Sequence, residues 1–317
     1  MEDNMSQSLA LVFPGQGSQS LGMLSDLAVQ HSIIIDTFQE ASDALGQDLW
    51  AIAQEGPEAV LNSTENTQPV LLTSSVALWR LWQQQGGEAP SVVAGHSLGE
   101  YSALVCAGAI SLADGVRLVR LRGELMQAAV PAGTGAMAAI LGLDDAAVVT
   151  ACEQAAQGAV VSAVNFNCPG QVVIAGEKAA VERGVEACKE AGAKRAVELP
   201  VSVPSHCALM QPAADKLAEA LADIEITLPA IKLIHNVNAS TCEDVAELRE
   251  LLVQQLYSPV RWTESVQAML ALGVDRTVEC GPGKVLSGLN KKVDRALTVL
   301  NIGDSAGLEK ALESQNS

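Results

Sequence analysis

An uninterrupted apolar run, Val92-Val93-Ala94, passes straight into Gly95-His96-Ser97-Leu98-Gly99, and residues 101–107 follow with the character of a helix. A β-branched run of this kind reads as a strand buried on both faces, as in parallel sheets covered by helices. Strand, tight turn and helix in immediate succession restrict the chain to an α/β architecture. The turn also fits G-x-S-x-G, the nucleophile elbow, in the context that motif requires. Its glycines let the backbone approach closely and leave Ser97 Oγ projecting. The helix behind it offers free N–H groups and a positive dipole end to a developing anion. Ser97 is therefore a candidate nucleophile. The alternative is a glycine-rich turn with an incidental serine, and the partners of Ser97 have to decide between them.

The rest of the chain fits the same architecture. Its 317 residues suffice for one large domain or two modest ones. With 49% apolar but only 3% aromatic residues, the core must be built of Ala, Val, Leu and Ile, as in helices packed on a parallel sheet. A first strand at 9–13 ends in Pro14-Gly15-Gln16-Gly17-Ser18-Gln19, and later strands are expected near 231–237, 278–280 and 297–301. Between 130 and 200 the rhythm changes. Strands at 135–141, 160–166, 171–175 and 195–199 alternate with helices at 144–157 and 178–191, the βαββαβ order of a ferredoxin-like split unit. The expected fold is a larger α/β-hydrolase-like core with a mostly parallel sheet, residues 1–129 and 201–317, carrying an inserted ferredoxin-like small domain at 130–200.

A net charge of −18 argues against nucleic acid and against an anionic membrane surface. Residues 1–8 have no basic region and no long apolar stretch follows, so neither a signal peptide nor a membrane span is expected and the chain reads as cytoplasmic. The seven cysteines are scattered without a C-x-x-C pair, as small buried apolar residues of a reducing compartment would be. No metal-ligand spacing joins them to the four histidines, and no metal or cofactor is expected.

An activated serine needs a base. His96 lies inside the elbow and would point away from Ser97, and His31 falls in a helix before it. His206 stands in the proline-framed loop Leu199-Pro200-Val201-Ser202-Val203-Pro204-Ser205-His206, at the exit of the small domain, and is the better choice; a satisfied structural histidine is the alternative. No acid declares itself as a third member. A carbonyl oxygen could orient the base as well.

One arginine is on the wrong face of its helix. Arg117, Arg120 and Glu124 form a polar stripe, whereas Arg122 lies roughly 140–160° away, beside Leu118, Val119 and Met126. A buried guanidinium is costly unless paired. Either a carboxylate of another element meets it, or a substrate carboxylate does, for which the fork-shaped donor is well suited.

On Gly15-Gln16-Gly17-Ser18-Gln19, Gly95-His96-Ser97-Leu98-Gly99-Glu100, Arg122 and Ser205-His206, the sequence resembles the malonyl-CoA:acyl carrier protein transacylase family of bacterial type II fatty acid synthesis. The likeness extends to residues 165–171 and 255–262 and covers nearly the whole chain; the residues before Leu9, and Cys168 where a serine is expected, depart from it. The resemblance implies that Ser97 is acylated by malonyl-CoA with His206 as general base and then acid. It implies an oxyanion hole of the Gln16 and Leu98 N–H groups, Arg122 on the malonyl carboxylate, and the Gln255 carbonyl orienting His206. The acyl group would then pass to the phosphopantetheine thiol of acyl carrier protein in a ping-pong cycle. In this family that carrier is acidic, and so is this chain. Lys284, Lys291, Lys292 and Arg295 are the candidate basic patch for it, unless they are an ordinary solvated helix face.

Three other readings stay open. A serine esterase or thioesterase of the α/β-hydrolase type could use Ser97, Asp223 and His235, but lacks an HGGG-like loop before the elbow. A dinucleotide-binding module could use residues 15–20 with Asp36, though Ser20 stands at the third glycine position. A catalytically silent scaffold is opposed by the joint presence of Ser97, Gln16, Arg122 and His206.

Overall fold

The computed structural model describes residues 8–201 and 203–315. Residues 1–7, read above for a targeting signal, and Ser202 of the proline-framed loop lie outside the described residues. The strands are β1 (Ser8–Phe13), β2 (Val92–Gly95), β3 (Gly135–Leu141), β4 (Val161–Cys168), β5 (Gln171–Glu177), β6 (Arg195–Glu198), β7 (Lys232–Ile234), β8 (Val274–Glu279) and β9 (Thr298–Asn301). The chain divides into two compact units. The first comprises 1–120, 225–235 and 265–317, and the second 121–224 and 236–264.

The first unit carries a five-stranded, wholly parallel sheet in the order β7-β2-β1-β8-β9. β1 and β2 are buried almost throughout, which is why their sequences are continuous rather than alternating. Because the strands are parallel, the loops after β1, β2 and β8 emerge at one end of the sheet, where open α/β sheets place their sites. β7 is shorter than the expected 231–237: its partner β2 ends at Gly95, where the elbow begins, and the ladder stops at Ala94↔Ile234. β8 starts earlier than expected because Asp275 and Arg276 disguise it; Arg276 is buried in an ion pair with Glu88 while Val274 already pairs with Ser8. At the end of β8 the buried Glu279 accepts from Leu286 N (3.0 Å), Ser287 N (2.7 Å) and Ser287 Oγ (2.7 Å), capping the helix Val285–Val293. Burial pushes its carboxyl up, and these hydrogen bonds counter part of that rise.

The second unit is built on an antiparallel sheet in the order β4-β5-β3-β6. Alternation sorts its two faces. Ala138, Ile140, Val172 and Ile174 pack against Val148, Cys152, Val181 and Cys188 of the helices Asp145–Ala156 and Lys178–Glu190. Met137, Val164, Val173 and Ala175 face the other way and pack against Cys207. The segment 255–262 is fixed on the β4 edge, where Phe166 N donates to Val260 O (3.0 Å) and Val260 N to Val164 O (2.8 Å). No described helix is long and apolar enough to cross a membrane.

Candidate functional site

Ser97 caps the helix Leu98–Cys106 at φ 53°, ψ −111°, a conformation that L side chains rarely adopt. The glycines on either side explain how it is enforced. A Cβ on Gly95 would fall inside the Gly99 carbonyl, and one on Gly99 inside the Phe13 carbonyl oxygen, so the helix start is pressed onto the ends of β2 and β1. His96 N donates to Phe13 O (3.0 Å) and Glu100 N to Ser97 O (3.1 Å), which closes the turn.

The loop after β1 lies beside this elbow, since Phe13 is in register with Gly95 and a Cβ on Gly15 would come within 2.6 Å of His96 O. It is braced by Ser18 Oγ on Gly15 O (2.8 Å) and by Gly17 N on Gln19 Oε1 (2.7 Å). Among the described residues nothing accepts from the backbone N–H of Gln16 or of Leu98.

In the second unit, His206 is held twice by neighbouring carbonyls: its backbone N donates to Leu256 O (3.0 Å) and its Nδ1 to Gln255 O (2.7 Å). A carbonyl oxygen can only accept, so Nδ1 carries the ring proton and the neutral ring keeps its lone pair on Nε2. The residue is buried and sits at φ 65°, between Pro204, whose carbonyl accepts from Cys207 Sγ (3.1 Å), and the short helical turn Ala208–Met210. Arg122, on the helix Leu112–Ala129, is only 1% exposed, and its Nη2 donates to Gln255 Oε1 (3.0 Å). Gln255 therefore meets both residues, one through its backbone and one through its side chain.

Sequence reasoning missed a further buried pair in the first unit. Glu100 Oε1 lies 2.7 Å from His235 Nδ1, both side chains essentially inaccessible. Only the burial of a glutamate in the first turn of an apolar helix could have signalled it. The pair removes the basis for the esterase arrangement, because Glu100 rather than Asp223 takes His235 Nδ1, and Asp223 is exposed at the end of the helix Gln211–Asp223. Asp36 is exposed within the helix Ser32–Leu45, not at the end of a strand, which undercuts the ribose-binding role in the dinucleotide reading. His31 sits between two helices, ending one and beginning the next. Lys284, Lys291, Lys292 and Arg295 are exposed on or beside the helix Val285–Val293; Lys284 Nζ is 3.7 Å from Asp304 Oδ2 and Lys291 Nζ donates to Leu297 O (2.9 Å).

The chain matches the acyl transferase domain over residues 10–301. It is 61% identical to the malonyl CoA-acyl carrier protein transacylase of Salmonella typhimurium, over 96% of this chain and 98% of that protein. The like-named protein of Bacillus subtilis is 47% identical, with 96% of each covered. Among solved structures, a malonyl-transacylase in complex with its holo type II PKS acyl-carrier protein superposes with a TM-score of 0.96 at 58% identity, covering 97% of this chain and 100% of that one. An acyl carrier protein S-malonyltransferase of Vibrio cholerae gives a TM-score of 0.94 at 60% identity, covering 96% and 99%.

Proposed function

The chain belongs to the acyl transferase domain family, and from that premise we propose that it carries a malonyl group from malonyl-CoA to the phosphopantetheine thiol of acyl carrier protein. Ser97 Oγ attacks the thioester carbonyl while His206 Nε2 takes its proton. The carbonyl oxygen, now an anion, is received by the N–H groups of Gln16 and Leu98. Collapse of the tetrahedral adduct expels the CoA thiolate, which the imidazolium protonates, and malonyl-Ser97 remains. The carrier thiol then enters by the same steps in reverse and leaves as malonyl thioester. Arg122 binds the distal carboxylate throughout, and the Gln255 carbonyl keeps His206 in the tautomer that makes Nε2 basic.

The observation that carries this reading is Ser97 itself, held at a positive φ on a helix N-terminus beside two N–H groups with no acceptor among the described residues. Its test is the intact-protein mass after brief incubation with malonyl-CoA, followed by holo acyl carrier protein. A malonyl adduct that forms and then clears onto the carrier supports the reading. CoA release without an adduct would favour hydrolysis instead.

The role of Arg122 has its own test. Replacing it by alanine removes a charge-assisted, two-pronged contact that acetyl lacks, so kcat/KM should fall roughly 10- to 100-fold further for malonyl than for acetyl transfer. An equal loss on both would assign Arg122 to structure. For the carrier, Lys292→Glu with Arg295→Glu should lower kcat/KM for acyl carrier protein by roughly tenfold and flatten its salt dependence, with acylation by malonyl-CoA unaltered. An unchanged salt profile would remove the patch from the docking surface.

The finer architecture belongs to the same proposal. An α/β-hydrolase-like core with a ferredoxin-like insertion at 130–200 is supported by the parallel sheet with its strand–serine–helix elbow, and by the βαββαβ order of the antiparallel sheet. A cytoplasmic setting is supported by the scattered cysteines, six of the seven buried.

A further inference from the structure

We infer that the side chain of Gln255 is a specificity-determining positioning residue, aiming the Arg122 guanidinium at the acyl carboxylate without neutralising it. The inference rests on the proposed malonyl transfer and extends it to a side chain whose part there was confined to its backbone.

The geometry is specific to an amide. Gln255 is fully buried, its Oε1 accepts from Arg122 Nη2 at 3.0 Å, and its Nε2 faces Asn236 Oδ1 at 3.4 Å. Asn236 is itself buried and its backbone oxygen accepts from Arg261 N (3.1 Å). The amide thus has a fixed sense: turned over, it would set its NH2 against the guanidinium and its oxygen against another oxygen. A guanidinium at the end of a long stem has many rotamers, and anchoring one of its nitrogens reduces them before substrate arrives.

The neutrality of the amide matters as much as its position. A glutamate would fit the same space and reach the same nitrogen, but as a buried ion pair it would satisfy the arginine internally and compete with the incoming carboxylate. Glutamine orients the cation without bringing a counter-charge of its own. The backbone carbonyl of the same residue receives His206 Nδ1, so acyl selection and base orientation are fixed at one point in the chain, while remaining separable by mutation. Side-chain substitutions alter the first and preserve the acceptor for the second.

The experiment compares Gln255→Leu and the isosteric Gln255→Glu with the wild type, using malonyl-CoA and acetyl-CoA with holo acyl carrier protein. The expected result is a malonyl-to-acetyl ratio of kcat/KM lowered by roughly tenfold or more, carried mainly by KM for malonyl-CoA. For Gln255→Leu the midpoint of the kcat–pH profile should not move, since its determinant is a backbone group; the glutamate variant adds a charge to the residue that holds His206 and is read by the ratio alone. On an Arg122→Ala background Gln255→Leu, which adds no charge, should leave the ratio as it finds it. Equal losses on both acyl groups in either variant, or in Gln255→Leu a displaced pH midpoint or an effect that adds to that of Arg122→Ala, would overturn the inference. Should Gln255→Leu not fold, the isosteric glutamate variant decides alone. A wild type that forms no malonyl adduct would instead refute the malonyl-transfer reading, which separates the two failures.

Discussion

Replacing Ser97 by alanine is expected to abolish the malonyl adduct and to lower transfer by roughly 10⁴- to 10⁶-fold, the range seen when a nucleophile acting as part of a unit is removed. The prediction is large because every other feature of the elbow exists to present one oxygen. Alanine has the same backbone restrictions as serine, so the residue at φ 53° is no more strained after the change, and the melting temperature should be nearly unaltered. Loss of activity with retention of fold is then a chemical result. Intact mass after malonyl-CoA and the single-turnover rate measure it directly. An adduct that persists in Ser97→Ala would place the acyl group on another nucleophile and dismantle the mechanism.

The second large effect concerns stability. Gly99→Ala is expected to destabilise the protein by more than about 3 kcal/mol, lowering the thermal midpoint by roughly 5 °C or more and cutting soluble yield. The added Cβ would land on the carbonyl oxygen of Phe13, which is backbone of a central strand and already accepts from His96 N. No flexible side chain is there to yield, so either β1 or the helix Leu98–Cys106 must move. Gly288 is the contrast: it lies in the helix Val285–Val293 with nothing within 4 Å of its Cβ position, and alanine there should be tolerated. Thermal melts of the two variants side by side make the comparison, and similar midpoints would show that the close approach at Gly99 can relax.

These two predictions draw on the part of the molecule that was most legible in the sequence. The elbow is local: Gly95, Ser97 and Gly99 lie within five consecutive residues, and their types follow from sterics among themselves and the end of a neighbouring strand. The inward direction of Arg122 was readable too, because helical periodicity fixes angles over a few residues. The acceptors were not. The oxygen that receives His206 Nδ1 is a main-chain carbonyl, a group every residue possesses, so residue type carries no trace of it and only family resemblance pointed to Gln255. The contact between Arg122 and the Gln255 side chain spans 133 positions, and that between Glu100 and His235 spans 135. Pairings at that separation are made by topology, which local patterning does not encode. The strand errors have the same origin. The ends of β7 and β8 are set by what their neighbours offer to pair with, and charged residues within β8 are paid for by partners far away in sequence.

The thiol next to His206 has a consequence for fidelity. A protein that handles thioesters is exposed to theft of its acyl group by its own sulfur, because thiolates exchange rapidly with thioesters. Cys207 adjoins the proposed base in sequence, yet burial pushes its thiol up to about 11, against a smaller opposing pull from a backbone hydrogen bond, and its Sγ is engaged with Pro204 O. At pH 7 the sulfur there is held as the unreactive thiol. Cys152, pushed up to about 12 by burial, is more inert still. The packing of Cys207 against Met137, Val164, Val173 and Ala175 therefore does more than fill space: it silences a competing acceptor.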